Sequence, residues 1–432
     1  MQIPELYKIF LQHPCIETDT RKLKKGNIFF ALKGPNYNAN LFAKQAIENG
    51  AAYAIVDEDI AGADNRIIKV DNVLTALQQL ALYHREKLEI NTKGKPVCFI
   101  AITGSNGKTT SKELIHAVLS TTYKTYTTQG NLNNHIGIPL TILKIKTDVE
   151  IAVIELGANH LKEIEGYCKY AKPTHGIITN CGKAHLEGFG SEEGVKKGKG
   201  ELFDYIRQHV GSAFIMKDYG YLQKMSIGIR NIITYGTHDA DITGHAKQSA
   251  ALLQVQIDGI PGLDIINTNL VGEYNLPNIL LAVAVAKYFA VPNETIKAAL
   301  ENYLPSNSRS QMVEKDGNKI ILDAYNANPS SMKAAIENFS KMDGIDKVLF
   351  LGGMKELGIE STREHYALIN LIKKYTWKNV VLVGDEFNNT AHGFVSFQDS
   401  TEAGKWFKNQ HFKNALILIK GSRSTEMEKV LD

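Results

Sequence analysis

The segment Thr103-Gly104-Ser105-Asn106-Gly107-Lys108-Thr109-Thr110 carries the sharpest chemical signal in this chain. It follows a continuous apolar run, Val97 to Ile102, and precedes a helix predicted from about Thr109 to Leu119. A strand-to-helix turn is the context in which such a loop cradles phosphate. The glycines let the backbone fold tightly and aim N–H groups at phosphate oxygens. The helix N-terminus adds its positive dipole end. Lys108 can reach the β- and γ-phosphates, and the Thr109 hydroxyl can ligate Mg²⁺. The usual P-loop has four residues between its first Gly and the Gly-Lys pair. Here only Ser105 and Asn106 stand between Gly104 and Gly107.

Further candidates follow the loop. Glu155 ends an apolar strand predicted over Glu150 to Ile154, the end of a strand at which ligands bind in parallel sheets. It can hold Mg²⁺ or activate water; read alone, it is more readily a helix-capping or surface glutamate. His185 lies five residues beyond Asn180, past a strand predicted over Gly176 to Thr179. Beside a phosphate loop and an acidic strand end it is a metal or catalytic candidate. Lys199 sits in Lys196-Lys197-Gly198-Lys199-Gly200-Glu201, which composition alone reads as a solvated charge run. The stretch Asn131 to Pro139 is dense in amides that can donate to an oxyanion and accept from an amine.

These groups need a scaffold, and the chain of 432 residues is long enough for about three domains. Hydrophobic residues are 44% and charged residues 22%, ordinary for a globular protein. The net charge of +3 and scattered basic residues argue against nucleic acid as a partner. The start, Met1 to Lys8, lacks the pattern of a signal peptide, and no apolar run approaches the ~20 residues of a membrane span. The longest, Ile279 to Ala286, reads as one buried face of a helix predicted over Asn275 to Ala290. Cys15, Cys98, Cys168 and Cys181 are widely spaced, which favours free thiols and a cytoplasmic protein.

Polar stretches at Asn91 to Pro96 and Leu304 to Ser308 read as linkers. The first segment has short apolar strands around Phe29 and Ile55 and a helix predicted over Asn40 to Asn49, stopped by Gly50. The second combines doubly apolar strands, the mark of a covered parallel sheet, with an alternating piece from Ala251 to Val271 that suits antiparallel pairing. The third alternates strands (Lys319 to Leu322, Lys347 to Leu351, Val380 to Val383, Ala415 to Ile419) with helices, which predicts a Rossmann-like layer. The fold class is α/β, with domains at 1–92, 93–305 and 306–432.

Taken together, Thr103 to Thr110, Asn131 to Pro139, Glu155-Leu156-Gly157-Ala158, Thr179-Asn180 to His185 and Lys199-Gly200-Glu201 resemble the Mur ligase family in order and spacing. Thr18-Asp19-Thr20-Arg21, Phe29 to Gly34 and Lys420-Gly421-Ser422-Arg423 extend the resemblance over essentially the whole chain. Asp323-Ala324-Tyr325-Asn326-Ala327-Asn328-Pro329-Ser330-Ser331-Met332 looks like the branch that adds D-alanyl-D-alanine. Departures are small: Leu156 stands where Met is common, Thr20 where Ser is, and Asn38-Ala39-Asn40 where an acidic-glycine stretch is.

The resemblance implies a three-domain architecture: a UDP-sugar module, a central P-loop ATP module and a Rossmann-like module that closes on them. It implies ATP-dependent amide ligation through an acyl phosphate, in cytoplasmic peptidoglycan precursor synthesis. UDP-N-acetylmuramoyl-tripeptide and D-alanyl-D-alanine would be the substrates, and a monomer is expected. Lys108, Asn134, Glu155, His185 and Lys199 would be catalytic. Mg²⁺ would be held by Thr109, Glu155, His185 and Lys199, the lysine being carbamylated in this family. Asn275 and Asn278 would face adenine, Arg309 and Asp323 the nucleotide's phosphate and ribose, and Thr20 and Arg21 the uridine end. Asn134 would lie beside the acceptor carboxylate, and Tyr325, Asn326 and Asn328 on the dipeptide side. The rival readings are another amide ligase that adds a single amino acid or glutamate, and a nucleotide-dependent switch or catalytically silent binding subunit.

Overall fold

The computed structural model describes residues 1–62, 64–247, 252–306, 308–344, 346–388 and 390–432. Contacts group these into two compact units. One comprises Met1–Ile102, Tyr123–Ala158 and Lys162–Gly176; the other comprises Thr103–Thr122, Asn159–Leu161 and Ile177–Asp432.

The first unit opens on a parallel four-stranded sheet in the order Ile16–Glu17, Ile28–Phe30, Tyr53–Val56, Ile67–Lys69. Phe29, Ala54 and Val56 pack there with the small residues Ala43, Ala46 and Ala51, so the covering helix lies close. That helix is shorter than its pattern predicts. A 3₁₀ turn takes Ala39–Phe42, and the α-helix runs Ala43–Glu48. Gly50 at φ +97° then lets the Ala51 N–H return to the Ala46 carbonyl, the helix stop expected of a glycine. The helix Val73–Lys87 follows, capped by Asn72, whose Oδ1 accepts from the Thr75 N–H at 2.8 Å. The same unit holds the parallel strands Cys98–Thr103 (through Ile102), Ile151–Glu155 and Thr125–Thr127, with Ile151–Glu155 in the middle. All five residues of Ile151–Glu155 are buried, as an apolar run in a covered parallel sheet requires.

In the second unit, Ser212–Met216 and Asn231–Gly236 run parallel, and Ile242–Lys247, Leu252–Ile257 and Ile265–Val271 continue antiparallel. Leu252–Ile257 alternates half-buried and buried side chains, as its sequence predicts; Ala251, where that prediction began, lies outside the described residues. The helix Leu276–Tyr288 is buried from Asn278 to Ala286 on every face rather than one, because strands and the loop helix Lys108–Leu119 surround it.

The chain's last third forms a six-stranded sheet in the order Gln311–Lys315, Asn318–Asp323, Leu416–Lys420, Lys347–Gly352, Asn379–Val383, Val395–Phe397. Only the first pair is antiparallel. The helices Pro329–Lys341, Ser361–Ile372 and Ser400–Gln410 complete a Rossmann-like layer. The hairpin strand Gln311–Lys315 escaped the sequence reading, though its Asp316-Gly317 turn, with φ +51° and +75°, is a strong hairpin signal.

None of the four cysteines is in a disulfide. Among the described residues, no helix is long and apolar enough to cross a membrane.

Candidate active site

The phosphate loop is set by two glycines that no other residue replaces without strain. Gly104 has φ +144°, and a Cβ there would strike the Thr179 hydroxyl and approach the Asn180 backbone at 3.1 Å. Gly107, the N-cap of the loop helix, has φ +79°, and its Cβ would lie 2.6 Å from Asn278 Oδ1. Strand-end residues then hold the loop from behind. The Ser105 N–H donates to the Asn180 carbonyl at 2.9 Å and the Asn106 N–H to Asn180 Oδ1 at 3.0 Å. The Asn106 carbonyl accepts from Thr179 Oγ1 at 2.6 Å and Asn180 Nδ2 at 3.1 Å. Lys108 folds onto its own loop, its Nζ donating to the Gly104 carbonyl at 2.6 Å and to Ser105's at 3.3 Å. Thr109 is buried at the first turn of the helix.

Asn275 and Asn278 lie beneath this loop. Asn275 Nδ2 donates to the Val271 carbonyl, Asn278 Nδ2 to Asn275 Oδ1, and Ser111 Oγ to Asn278 Oδ1, each at 2.8 Å. Both asparagines are more than nine-tenths buried, so their side chains fix the helix entry.

Lys199 is fully buried on the helix Glu192–Gln208, against the solvated reading of its charge run. Helical spacing resolves the run: Lys196 pairs with Glu193 near the surface, while Lys199 turns inward, Nζ 5.1 Å from the Phe189 ring centre. Gly198 makes this possible, since a Cβ there would collide with the Phe189 ring. Burial also pushes the Cys181 thiol up to about 12, opposed by the Lys199 and Lys196 charges.

His185 has φ +52° and heads the short helix Leu186–Phe189. Its Nδ1 lies 2.5 Å from Glu356 Oε2. Glu356, itself at φ +62°, accepts from the Glu187 N–H at 3.2 Å through its carbonyl. The adjacent His185 ring holds the Glu356 carboxyl below the usual range against desolvation, with the Lys108 charge adding to the effect. Glu356 is a site residue that sequence reasoning missed, since nothing in its local pattern ties it to His185.

The block Asp323–Met332 comes onto the loop from the Rossmann-like layer. Asn328 Nδ2 donates to Asn106 Oδ1 at 2.8 Å, the Lys183 N–H donates to Ser330 Oγ at 3.0 Å, and Lys183 Nζ donates to Glu364 at 2.8 Å. Asp323 accepts from Lys420 Nζ at 2.6 Å and from the Ser310 N–H at 3.2 Å. Lys420, nearly fully buried, also reaches the Asn326 carbonyl at 3.2 Å. Its part could have been read from two adjacent parallel strands that each end in a charge. The Arg309 guanidinium lies 3.5 Å over the Tyr325 ring, and Asn326 is exposed.

In the first unit, Glu155 is buried and its Oε1 accepts from Asn133 Nδ2 at 2.7 Å. Gly157 lets Asn133 approach, since a Cβ there would stand 2.9 Å from the Asn133 side chain. Asn134 is exposed, and its Oδ1 accepts from the Ile136 and Gly137 N–H groups, capping the turn into the helix Gly137–Leu143. Thr20 and Arg21 lie on a 3₁₀ turn capped by Asp19. Arg21 is bidentate on Asp19, at 2.9 and 2.8 Å, and its side chain is 87% exposed. The pair lowers the Asp19 carboxyl to about 2.

Among the described residues no three His, Cys, Asp or Glu side chains gather as a metal cluster. An unmodified Lys199 ammonium offers donors only.

A glycine loop between strand and helix, with a Rossmann-like layer docked on it, suits an enzyme that uses ATP, and the comparisons identify the class as a ligase. Residues 102–286 match the Mur ligase middle domain, and residues 308–423 match the Mur ligase glutamate ligase domain. The chain belongs to the Mur ligase family. It is 34% identical to a UDP-N-acetylmuramoyl-tripeptide–D-alanyl-D-alanine ligase of Bacillus subtilis, covering 99% of this chain and 96% of that protein. Among solved structures it is similar to MurF of Acinetobacter baumannii (32% identity, TM-score 0.86, covering 96% of this chain and 92% of that one). It is likewise similar to MurF of Thermotoga maritima in complex with ADP (26% identity, TM-score 0.86, covering 98% and 97%).

Proposed function

We propose that this chain joins the amine of D-alanyl-D-alanine to the terminal carboxylate of UDP-N-acetylmuramoyl-tripeptide at the expense of ATP. The observation that supports this best is the Asp323–Met332 block seated on the phosphate loop through Asn328 and Asn106. The near full-length similarity to ligases of that name points the same way.

The carboxylate oxygen attacks the γ-phosphorus and ADP leaves. The amine nitrogen then attacks the acyl carbon, loses a proton and expels phosphate. Lys108 and the loop N–H groups neutralise the transferring phosphoryl group, with Lys108 exchanging its two carbonyl partners for phosphate oxygens. Mg²⁺ would be held by Thr109, Glu155, His185 and Lys199, and when bound it supplies charge stabilisation to the phosphates and acceptor carboxylate. Lys199 would serve as a carbamate, formed when its neutral amine adds to CO₂ and loses a proton.

Asn134 is assigned to the acceptor carboxylate, Thr20 and Arg21 to the uridine end, and Asn275 and Asn278 to the adenine side. Arg309 and Asp323 are assigned to the nucleotide's phosphate and ribose, and Tyr325 and Asn326 to the dipeptide. The division into modules 1–92, 93–305 and 306–432, a monomeric state and a cytoplasmic place in peptidoglycan precursor synthesis, and so in cell-wall growth, shape and division, belong to the same reading. Phosphate release with UDP-N-acetylmuramoyl-tripeptide and a panel of amines tests it. D-alanyl-D-alanine should support turnover, and turnover only with single amino acids would overturn it.

A further inference from the structure

Asn328 is the N-cap of the helix Pro329–Lys341. Its Oδ1 accepts from the Ser331 N–H at 2.9 Å, and its own N–H donates to Ser331 Oγ at 3.1 Å. A cap needs only the side-chain oxygen, and Ser or Asp supplies one about as well. The cap therefore leaves the amide nitrogen of Asn328 unexplained. That nitrogen donates to Asn106 Oδ1 at 2.8 Å, and the residue is 7% exposed.

The partner is as specific as the donor. The Asn106 peptide is clamped from the strand end by Thr179 and Asn180, which take both its N–H and its carbonyl. Its side chain meets Asn328. Two residues beyond Asn328, Ser330 Oγ takes the Lys183 N–H, so a single helical turn grips both the phosphate loop and the segment leading to His185. Both halves of the Asn328 amide are thus in use within the protein.

We infer that Asn328 is a positioning residue, not a dipeptide ligand: it couples docking of the Asp323–Met332 block to the geometry of the phosphate loop through Asn106. With the block seated, the backbone N–H groups that follow Asn106 are held for the nucleotide phosphates. With the block displaced, the centre of the loop loses one of its supports. Nucleotide engagement and placement of the amine-binding block are thereby linked, an assignment that rests on the function proposed above.

A double-mutant cycle tests this. Asn328→Ser keeps the cap but cannot span to Asn106, and Asn106→Ala removes the other partner. Each single change should lower kcat about tenfold, the order of one buried hydrogen bond, with the KM for D-alanyl-D-alanine within about twofold. The double variant should be no worse than the weaker single variant within about twofold. Effects that multiply would overturn the coupling. A tenfold rise in dipeptide KM at unchanged kcat would restore Asn328 to the dipeptide site. ADP titration of each full-length variant reads the same cycle without substrate. The affinity should fall about threefold in both singles and in the double alike, and independent losses would overturn the inference. Failure of the wild type to use D-alanyl-D-alanine would instead count against the proposed function and leave that titration to decide the coupling.

Discussion

The phosphate loop and the Thr18–Arg21 turn are both assigned to anionic groups, yet they are built in opposite ways. The loop uses backbone N–H groups, two glycines at positive φ and a rear wall of Thr179, Asn180 and Asn278, most of it buried. The turn offers one guanidinium, largely in solvent and occupied by the neighbouring Asp19. A preorganised cradle loses little entropy when phosphate arrives, and its donors are already aimed. An exposed ion pair contributes little and must be exchanged for the ligand. On the proposed function, chemistry belongs to the first place and attachment to the second, so damage to them should differ in size and in kind.

The largest loss is expected at the cradle. In Gly104→Ala the backbone stays at φ +144°, where only glycine is at ease, and the methyl meets Thr179. Phosphate release should fall on the order of 10³-fold, because displaced N–H donors cost on the order of 10²–10³ each in comparable sites. A variant within tenfold of wild type would show that the loop's fixed geometry is not what matters.

Lys199→Ala comes next, with a loss on the order of 10²-fold if the buried lysine acts as an anionic carbamate. Added small carboxylates should restore part of the rate. Full activity without them would remove Lys199 from the site.

How legible these regions were in the sequence follows from the same contrast. The cradle was readable because glycine spacing, a lysine and a threonine are dictated by backbone geometry and phosphate chemistry. The strands Ile151–Glu155 and Lys347–Gly352 were readable because burial on both faces makes their central runs, 151–154 and 348–351, wholly apolar. Lys199 was read from composition as solvated, since a run of lysines does not say which one a helix turns inward. Glu356 was missed, and Asn133 was noticed only as one of the amides between Asn131 and Pro139, because their contacts to His185 and Glu155 are tertiary and no local pattern encodes them. Asn328 was noticed as part of a block but set on the dipeptide side, and its hydrogen bond to Asn106 spans 222 residues of sequence. The family resemblance supplied the assignments of Asn275, Asn278 and Arg309, whose own spacing says little.

Glu356→Gln probes the border of the cradle. Its carboxylate stands 2.5 Å from His185 Nδ1, and a carboxylate behind an imidazole fixes the ring's tautomer and orientation. The amide should keep the contact at weaker strength and lower activity about tenfold. The Mg²⁺ concentration needed for half-maximal rate should rise, while the KM for ATP stays within about twofold. An unchanged Mg²⁺ titration would separate Glu356 from His185's function.

The smallest effect is expected at the turn. Asp19→Asn keeps the cap on the Arg21 N–H but removes the ion pair, leaving the guanidinium free. If Arg21 meets the uridine end, the KM for the UDP substrate should fall two- to threefold with kcat unchanged. The pH dependence sharpens this. With its carboxyl lowered to about 2, Asp19 is ionised throughout pH 5 to 8, so the pair neither forms nor breaks in that window. Protonation would release Arg21 only as the pH falls toward 2. The wild-type and Asp19→Asn KM profiles for the UDP substrate should therefore run parallel between pH 5 and 8. Below that window, profiles that converge already near pH 4, the ordinary range of an aspartate, would mean that Asp19 titrates unpaired and that the exposed pair does not hold in solution.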